Sequence, residues 1–118
     1  DGRVLTLVAA HPWPPISPAK AVERDRYLAR IVSLVRSIDG PVLVAGDLNT
    51  TPWSHVFTDF VAAANLTGRE PVATWPAPLG RFGIPIDHIL GRRVAIDSTT
   101  VGPSLGSDHR PIIAEISF

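Results

Sequence analysis

The stretch Val42 to Gly46, reading VLVAG, constrains this chain more than any other. Small and branched apolar residues stand in a row with no polar alternation, the pattern of a strand covered on both faces. Such a strand needs other layers packed against it, so the chain must fold as a layered domain. The run does not fade into a loop. It goes directly into Gly46, Asp47, Leu48 and Asn49, then a turn at Pro52, so a buried strand delivers a carboxylate and a carboxamide to its end.

The surrounding sequence supplies the layers. RVLTLVAAH (3–11) is a second apolar run, and the Asp1-Gly2 pair before it is a hairpin-turn signal with no partner strand in front of it. PWPPIS (12–17) is too rich in proline for helix or central strand. Ser17 and Pro18 read as an N-cap and a first-turn proline. From there to about Ile38, Val22, Leu28, Ile31, Val32, Val35 and Ile38 recur at helical spacing, with Glu23, Arg24, Asp25, Arg26, Arg30 and Arg36 on the other side. Asp39-Gly40-Pro41 stops this helix. A shorter helix runs from about Ser54 to Ala64. VATW (72–75) is expected as a short strand, IDHIL (86–90) and VAIDSTTV (94–101) as strands joined by a turn at Gly91 to Arg93, and PIIAEISF (111–118) as a final strand alternating from Ile112. This order predicts an α/β fold whose sheet is parallel at first and mixed later, with flanking helices.

Composition narrows the function. Hydrophobic residues make up 45% and charged residues 19% of the 118, which supports a packed core and excludes disorder. Lys plus Arg and Asp plus Glu are both 11, so no net field draws in nucleic acid, and no stable nucleic-acid complex is expected. A bound metal can still supply positive charge locally, so phosphate-ester chemistry stays open. The absence of cysteine excludes disulfides, thiolate metal sites and cysteine nucleophiles. No apolar run has the length of a membrane span.

The candidate chemistry lies at strand ends: His11, the Asp47 and Asn49 pair, Asp87 with His88, and GSDHRP (106–111), which holds Asp108 and His109. In layered α/β folds, ligands bind where such ends gather. Each residue also has an ordinary explanation. Asp47 and Asn49 are the residues of an Asx turn that caps the next helix. Asp108 suits a turn before an edge strand opened by Pro111, and His11 suits a structural histidine. Their coincidence is more specific. Carboxylates suit a hard divalent ion such as Mg²⁺, a histidine backed by a carboxylate is a general base, and a carboxamide with a protonated histidine can hold phosphate oxygens. Trp13, Trp53 and Trp75, in or beside proline-containing loops, either rim such a site or pack those loops down. Arg81 and Arg110 are further phosphate-binding candidates.

GDLN after a buried strand, IDHIL later and GSDHRP before the last strand, in that order and with AAHP upstream, resemble the endonuclease/exonuclease/phosphatase family. The resemblance runs from Val4 to Phe118. It implies a deoxyribonuclease I-like fold, a four-layer α/β sandwich, of which this chain corresponds to half. Residues 1–118 would be the C-terminal portion of one such domain, because the family's upstream asparagine and metal-binding glutamate have no counterpart here. It further implies a hydrolase of phosphate esters dependent on Mg²⁺ or Mn²⁺, weak or inactive as this portion. The alternative is a non-catalytic module that binds a phosphorylated ligand through the same pocket. In the implied roles, Asp47 orients the attacking water or helps hold the metal, and Asn49 contacts the scissile phosphate. Asp108 is a metal ligand, His109 is the base or electrostatic partner, Asp87 orients His109, and His11 binds phosphate or protonates the leaving group. His88 acquires no role and His55 is expected on a helix surface. The wording of HPWPPISPAKAVERDRYL is most similar to bacterial members with membrane helices upstream and this domain outside the cytoplasm. Half a sandwich would expose an apolar sheet face and a strand edge, so self-association is expected.

Overall fold

The computed structural model describes residues 2–118, so the expected turn at Asp1-Gly2 falls partly outside the described residues. Strand β1 (Thr6–Ala9) leads into helix α1 (Pro18–Ser37), strand β2 (Val42–Asp47) and helix α2 (His55–Ala64). A 3₁₀ segment (Ala77–Phe82) and strands β3 (Asp87–Arg92), β4 (Ala95–Val101) and β5 (Ile112–Ser117) complete the order. β1 pairs parallel with β2 and β3 pairs antiparallel with it, while β4 and β5 form a separate antiparallel pair. The result is the mixed α/β architecture with flanking helices that the sequence predicts. No helix among the described residues is long and apolar enough to cross a membrane.

Local chemistry explains the helices. Ser17 caps α1 by accepting from the Lys20 amide at 3.2 Å, and Pro18 stands where a missing N–H costs nothing. Ser54 caps α2 through the Phe57 amide at 3.1 Å, and Asn65 ends it in the left-handed conformation. Leu28, Ile31 and Val35 of α1 and Phe60 and Ala64 of α2 bury against Val8, Val42, Val44 and Leu90 of the sheet. Each large apolar side chain so buried contributes roughly 1.5–3 kcal/mol before entropy is counted.

Three sequence expectations change. The other face of the three-stranded sheet is not closed: Leu43 and Ala45 are half-buried and Leu7 of β1 is 62% exposed. Val22 lies outside the buried stripe of α1. VATW forms no strand; its one sheet-like contact is a pinch in which the Ile84 amide donates to the Trp75 carbonyl at 2.6 Å, closing a loop around the 3₁₀ segment. Pro76 and Pro78 prevent that segment from pairing further.

Pairing register positions the functional residues. Gly46 lies opposite His88, and Asp47 lies opposite Asp87 on the last rung of the β2–β3 ladder. Because side chains alternate between faces, Asp47 and Asp87 share the open face, whereas His88 shares the helix-covered face with Val44 and Leu90. Gly46 is required at this point: it has φ of +147°, and a Cβ there would lie 1.9 Å from the Ala10 carbonyl oxygen.

Candidate functional site

Asp47 and Asp87 meet a third group carried in by the loop before β5. His109 Nδ1 donates to Asp87 Oδ2 at 2.8 Å, and His109 Nε2 lies 3.6 Å from Asp47 Oδ2. His11, beyond the end of β1, places its Nε2 3.6 Å from the same Asp47 oxygen, with its side chain 74% exposed. The structure therefore gathers Asp47, Asp87, His109, His11 and Asn49 at one end of the sheet.

The supporting contacts divide the labour among these groups. Asp87 Oδ2 also accepts from Thr74 Oγ1 at 2.5 Å, so this oxygen serves two donors and fixes the His109 ring. Thr74 is 1% exposed and its carbonyl accepts from the Arg110 amide at 2.9 Å, which ties the His109 loop to the same residue. Asp47 Oδ1 accepts from the Asn49 amide at 2.9 Å, forming the Asx turn, while Oδ2 faces the two histidines. The helix cap is Ser54 instead of Asp47 or Asn49. Asn49 adopts φ of 49° and donates through Nδ2 to the Pro12 carbonyl at 2.8 Å, joining the β2 loop to the proline loop.

Electrostatics follow from this packing. Burial raises the Asp47 pKa; the Asn49 amide opposes this, Asp87 adds to it, and both histidines counter it. For His109, burial pulls the pKa down, but the hydrogen bond and charge of Asp87, with Asp47 and Asp108 behind them, hold it above the ordinary imidazole value. The neighbouring His88 behaves in the opposite way. Burial lowers its pKa, against the Thr50 carbonyl bond and the two carboxylates. Its Nε2 donates to the Thr50 carbonyl at 2.8 Å, and its ring packs on Phe57 with centroids 4.6 Å apart. His88 is a core histidine that braces the β2 loop, and His55 lies exposed at the start of α2.

Ligand atoms of Asp47, Asp87 and His109 lie within 4.8 Å of one another, close enough to share a cation. A hard divalent ion prefers oxygen donors. Among the described residues Asp47 Oδ2 has no amide or hydroxyl donor, whereas Asp87 Oδ2 is already taken by Thr74 and His109. Asp108 stands apart from that cluster; its Oδ2 accepts from the Trp75 indole at 3.3 Å, and its other carboxylate oxygen has no donor among the described residues.

A groove of about 570 Å³ opens over these groups, lined by His11, Asp47, Asn49 and His109 together with Ile16 and Trp75. Trp75 belongs to its wall, whereas Trp13 and Trp53 are 55% and 70% exposed, so neither of those two is packed down. Neither Arg81 nor Arg110 lines the groove: Arg81 lies over the Phe82 ring. Two contributors were not legible as site residues. Thr74 had no motif around it, and Arg24, placed on the solvent side of α1 by its charge, is 12% exposed and reaches the groove.

Known proteins share the sequence pattern and the fold of this chain. A family model described as the Endonuclease/Exonuclease/phosphatase family matches residues 1–109. A UPF0294 protein of Vibrio cholerae serotype O1 is 29% identical over 116 residues, covering 96% of this chain and 40% of the relative. The chain thus spans about 40% of the length of the curated relatives it matches. Among solved structures, a beta toxin from Staphylococcus aureus superposes with a TM-score of 0.73 at 18% identity, covering 98% of this chain and 53% of the toxin. A mutant of that toxin with bound magnesium ions superposes with a TM-score of 0.62 at 18% identity, covering 92% and 51%.

Proposed function

The chain belongs to the endonuclease/exonuclease/phosphatase family, and from that premise we propose that it carries the hydrolytic centre of a divalent-metal-dependent phosphoesterase. The observation that carries this reading is the Asp87–His109–Asp47 arrangement. A 2.8 Å carboxylate–imidazole bond orients a histidine whose far nitrogen faces a second carboxylate at 3.6 Å. A module that only binds phosphate needs no such orientation, which favours the enzyme over a non-catalytic binder.

In this reading Asp47, made more basic than an ordinary carboxylate by burial, orients the attacking water. His109, its pKa raised by Asp87, faces the non-bridging phosphate oxygens as charge builds on them. Asn49 uses one amide hydrogen on Pro12 and has its second for the phosphate. His11, the most exposed of the group, delivers a proton to the leaving oxygen. Asp47, a member of the cluster, and Asp108, which lies outside it and is assigned from the family resemblance alone, would hold Mg²⁺ or Mn²⁺, and the bound ion would supply positive charge to the phosphate. The chain covers 40% of a curated relative, and a further part of the proposal is that it forms the C-terminal portion of one such domain, weak or inactive as this portion.

The test is hydrolysis of bis-p-nitrophenyl phosphate with Mg²⁺ or Mn²⁺ and with EDTA, beside His109→Ala. Metal-dependent turnover that falls by roughly 100-fold or more in the variant supports the reading. Turnover indifferent to both metal and His109 would sink it.

A further inference from the structure

We propose that Arg24 is an anion-binding residue of this groove, placing its guanidinium against a non-bridging oxygen of the substrate phosphate. The inference rests on the phosphoesterase reading and adds a ligand-binding group on a helix for which the sequence predicts no site residue. Arg24 lies on α1, its side chain only 12% exposed, and it lines the groove with His11, Asn49 and His109. Nε donates to Asp25 Oδ1 at 3.0 Å, and Nη1 donates to the Asn49 carbonyl at 3.3 Å. A guanidinium has five N–H donors, and the others have no partner among the described residues.

The physical case is one of incomplete compensation. A guanidinium whose side chain is mostly buried but whose remaining donors stay open to the groove is best satisfied by a ligand placed there. Here one carbonyl and a half-exposed carboxylate meet only part of its fork. A phosphate oxyanion completes it, since the planar fork matches two phosphate oxygens and charge-assisted bonds of this kind are the strong ones. The position is also built with care. One turn along, Tyr27 Oη accepts from the His11 amide at 3.1 Å. Residues 24 and 27 are neighbours on one helix face, so α1 grips both site loops, His11 through Tyr27 and Asn49 through Arg24. Through that second contact, the residue that would meet the anion also supports the left-handed backbone of Asn49.

The test is titration of the 118-residue chain with inorganic phosphate, with and without Mg²⁺, followed by calorimetry and by the Arg Nε–H resonances in NMR spectra. The wild type should bind phosphate with a shift of the Arg24 resonance. Arg24→Met should weaken binding about tenfold or more, and Arg24→Lys, which keeps charge but loses the fork, should fall between. Phosphate binding by a folded Arg24→Met equal to wild type overturns the proposal and leaves the phosphoesterase reading standing. If that variant does not fold, the wild-type resonance decides: phosphate binding without movement of Arg24 overturns it as well. A wild type that binds no phosphate under either condition overturns both.

Discussion

Replacing Thr74 with valine isolates one hydrogen bond at the centre of the site. The side chain is 1% exposed and valine keeps its shape, so no cavity opens and no apolar surface is returned to water. What disappears is the 2.5 Å bond from Oγ1 to Asp87 Oδ2. The backbone bonds of Thr74, to Ile84 and from Arg110, remain. A hydrogen bond to a charged group contributes roughly 1.5–3 kcal/mol. Asp87 is mostly buried, with a side-chain exposure of 18%, so water replaces the lost donor poorly. We expect Thr74→Val to lose about 2 kcal/mol, a drop in the urea midpoint of about 1 M for a slope near 2 kcal/mol/M. Relieved of a competing donor, Asp87 should bind the His109 proton more strongly and move the imidazole pKa further up, read from its Hε1 resonance across pH. Thr74→Ser should restore most of both. A stability change below about 0.5 kcal/mol, with an unmoved imidazole, would refute the view that Thr74 holds Asp87 for His109.

Three further outcomes follow from the same structure. Gly46→Ala brings a Cβ to 1.9 Å from the Ala10 oxygen, so β1 and β2 must part; the expected loss is about 3 kcal/mol or more, and an ordinary unfolding midpoint would contradict the strand geometry. His109 has a native pKa above its unfolded value, so its contribution is full below about pH 6.5 and is lost as pH rises through the native value. Metal-free wild type should therefore lose stability over that window while His109→Gln does not, and parallel stability profiles would show the ion pair to be unimportant. The uncovered sheet face around Leu7 should drive self-association at high concentration, which Leu7→Lys should abolish in sedimentation equilibrium. A wild type monomeric throughout would count against that surface.

The elements with the strongest local chemistry were legible from sequence. The Ser17 and Ser54 caps, the apolar stripe of α1 and the unbroken run of β2 each combine a propensity with a pattern. The site was legible in its motifs but not in its orientation. Asp87 and His88 are adjacent, and only the identity of the helix-covered face decides that the aspartate enters the site and the histidine enters the core. Periodicity alone carries no such parity. By its charge Arg24 belongs to the solvent side of the helix, yet it donates to the Asn49 loop, and the His11 loop is held one turn along by Tyr27. VATW (72–75) carries a strand signal that says nothing of a site, and residues 76–85 have neither period nor propensity, so the buried Thr74 gave no warning of its partner.

The last rung of the β2–β3 ladder, where Asp47 faces Asp87, makes the site a gauge of strand registration. The carboxylate separation is set by the backbone spacing of paired strands, not by any contact between the acids. A slip of one residue would turn Asp87 toward the helices and bring His88 outward, because side-chain direction reverses at every step. Such a mispaired molecule would keep its helices and much of its secondary structure while the Asp47–Asp87–His109 cluster ceased to exist. For this chain, the bond between His109 and Asp87, followed through the imidazole resonance, would then report pairing fidelity that circular dichroism does not see.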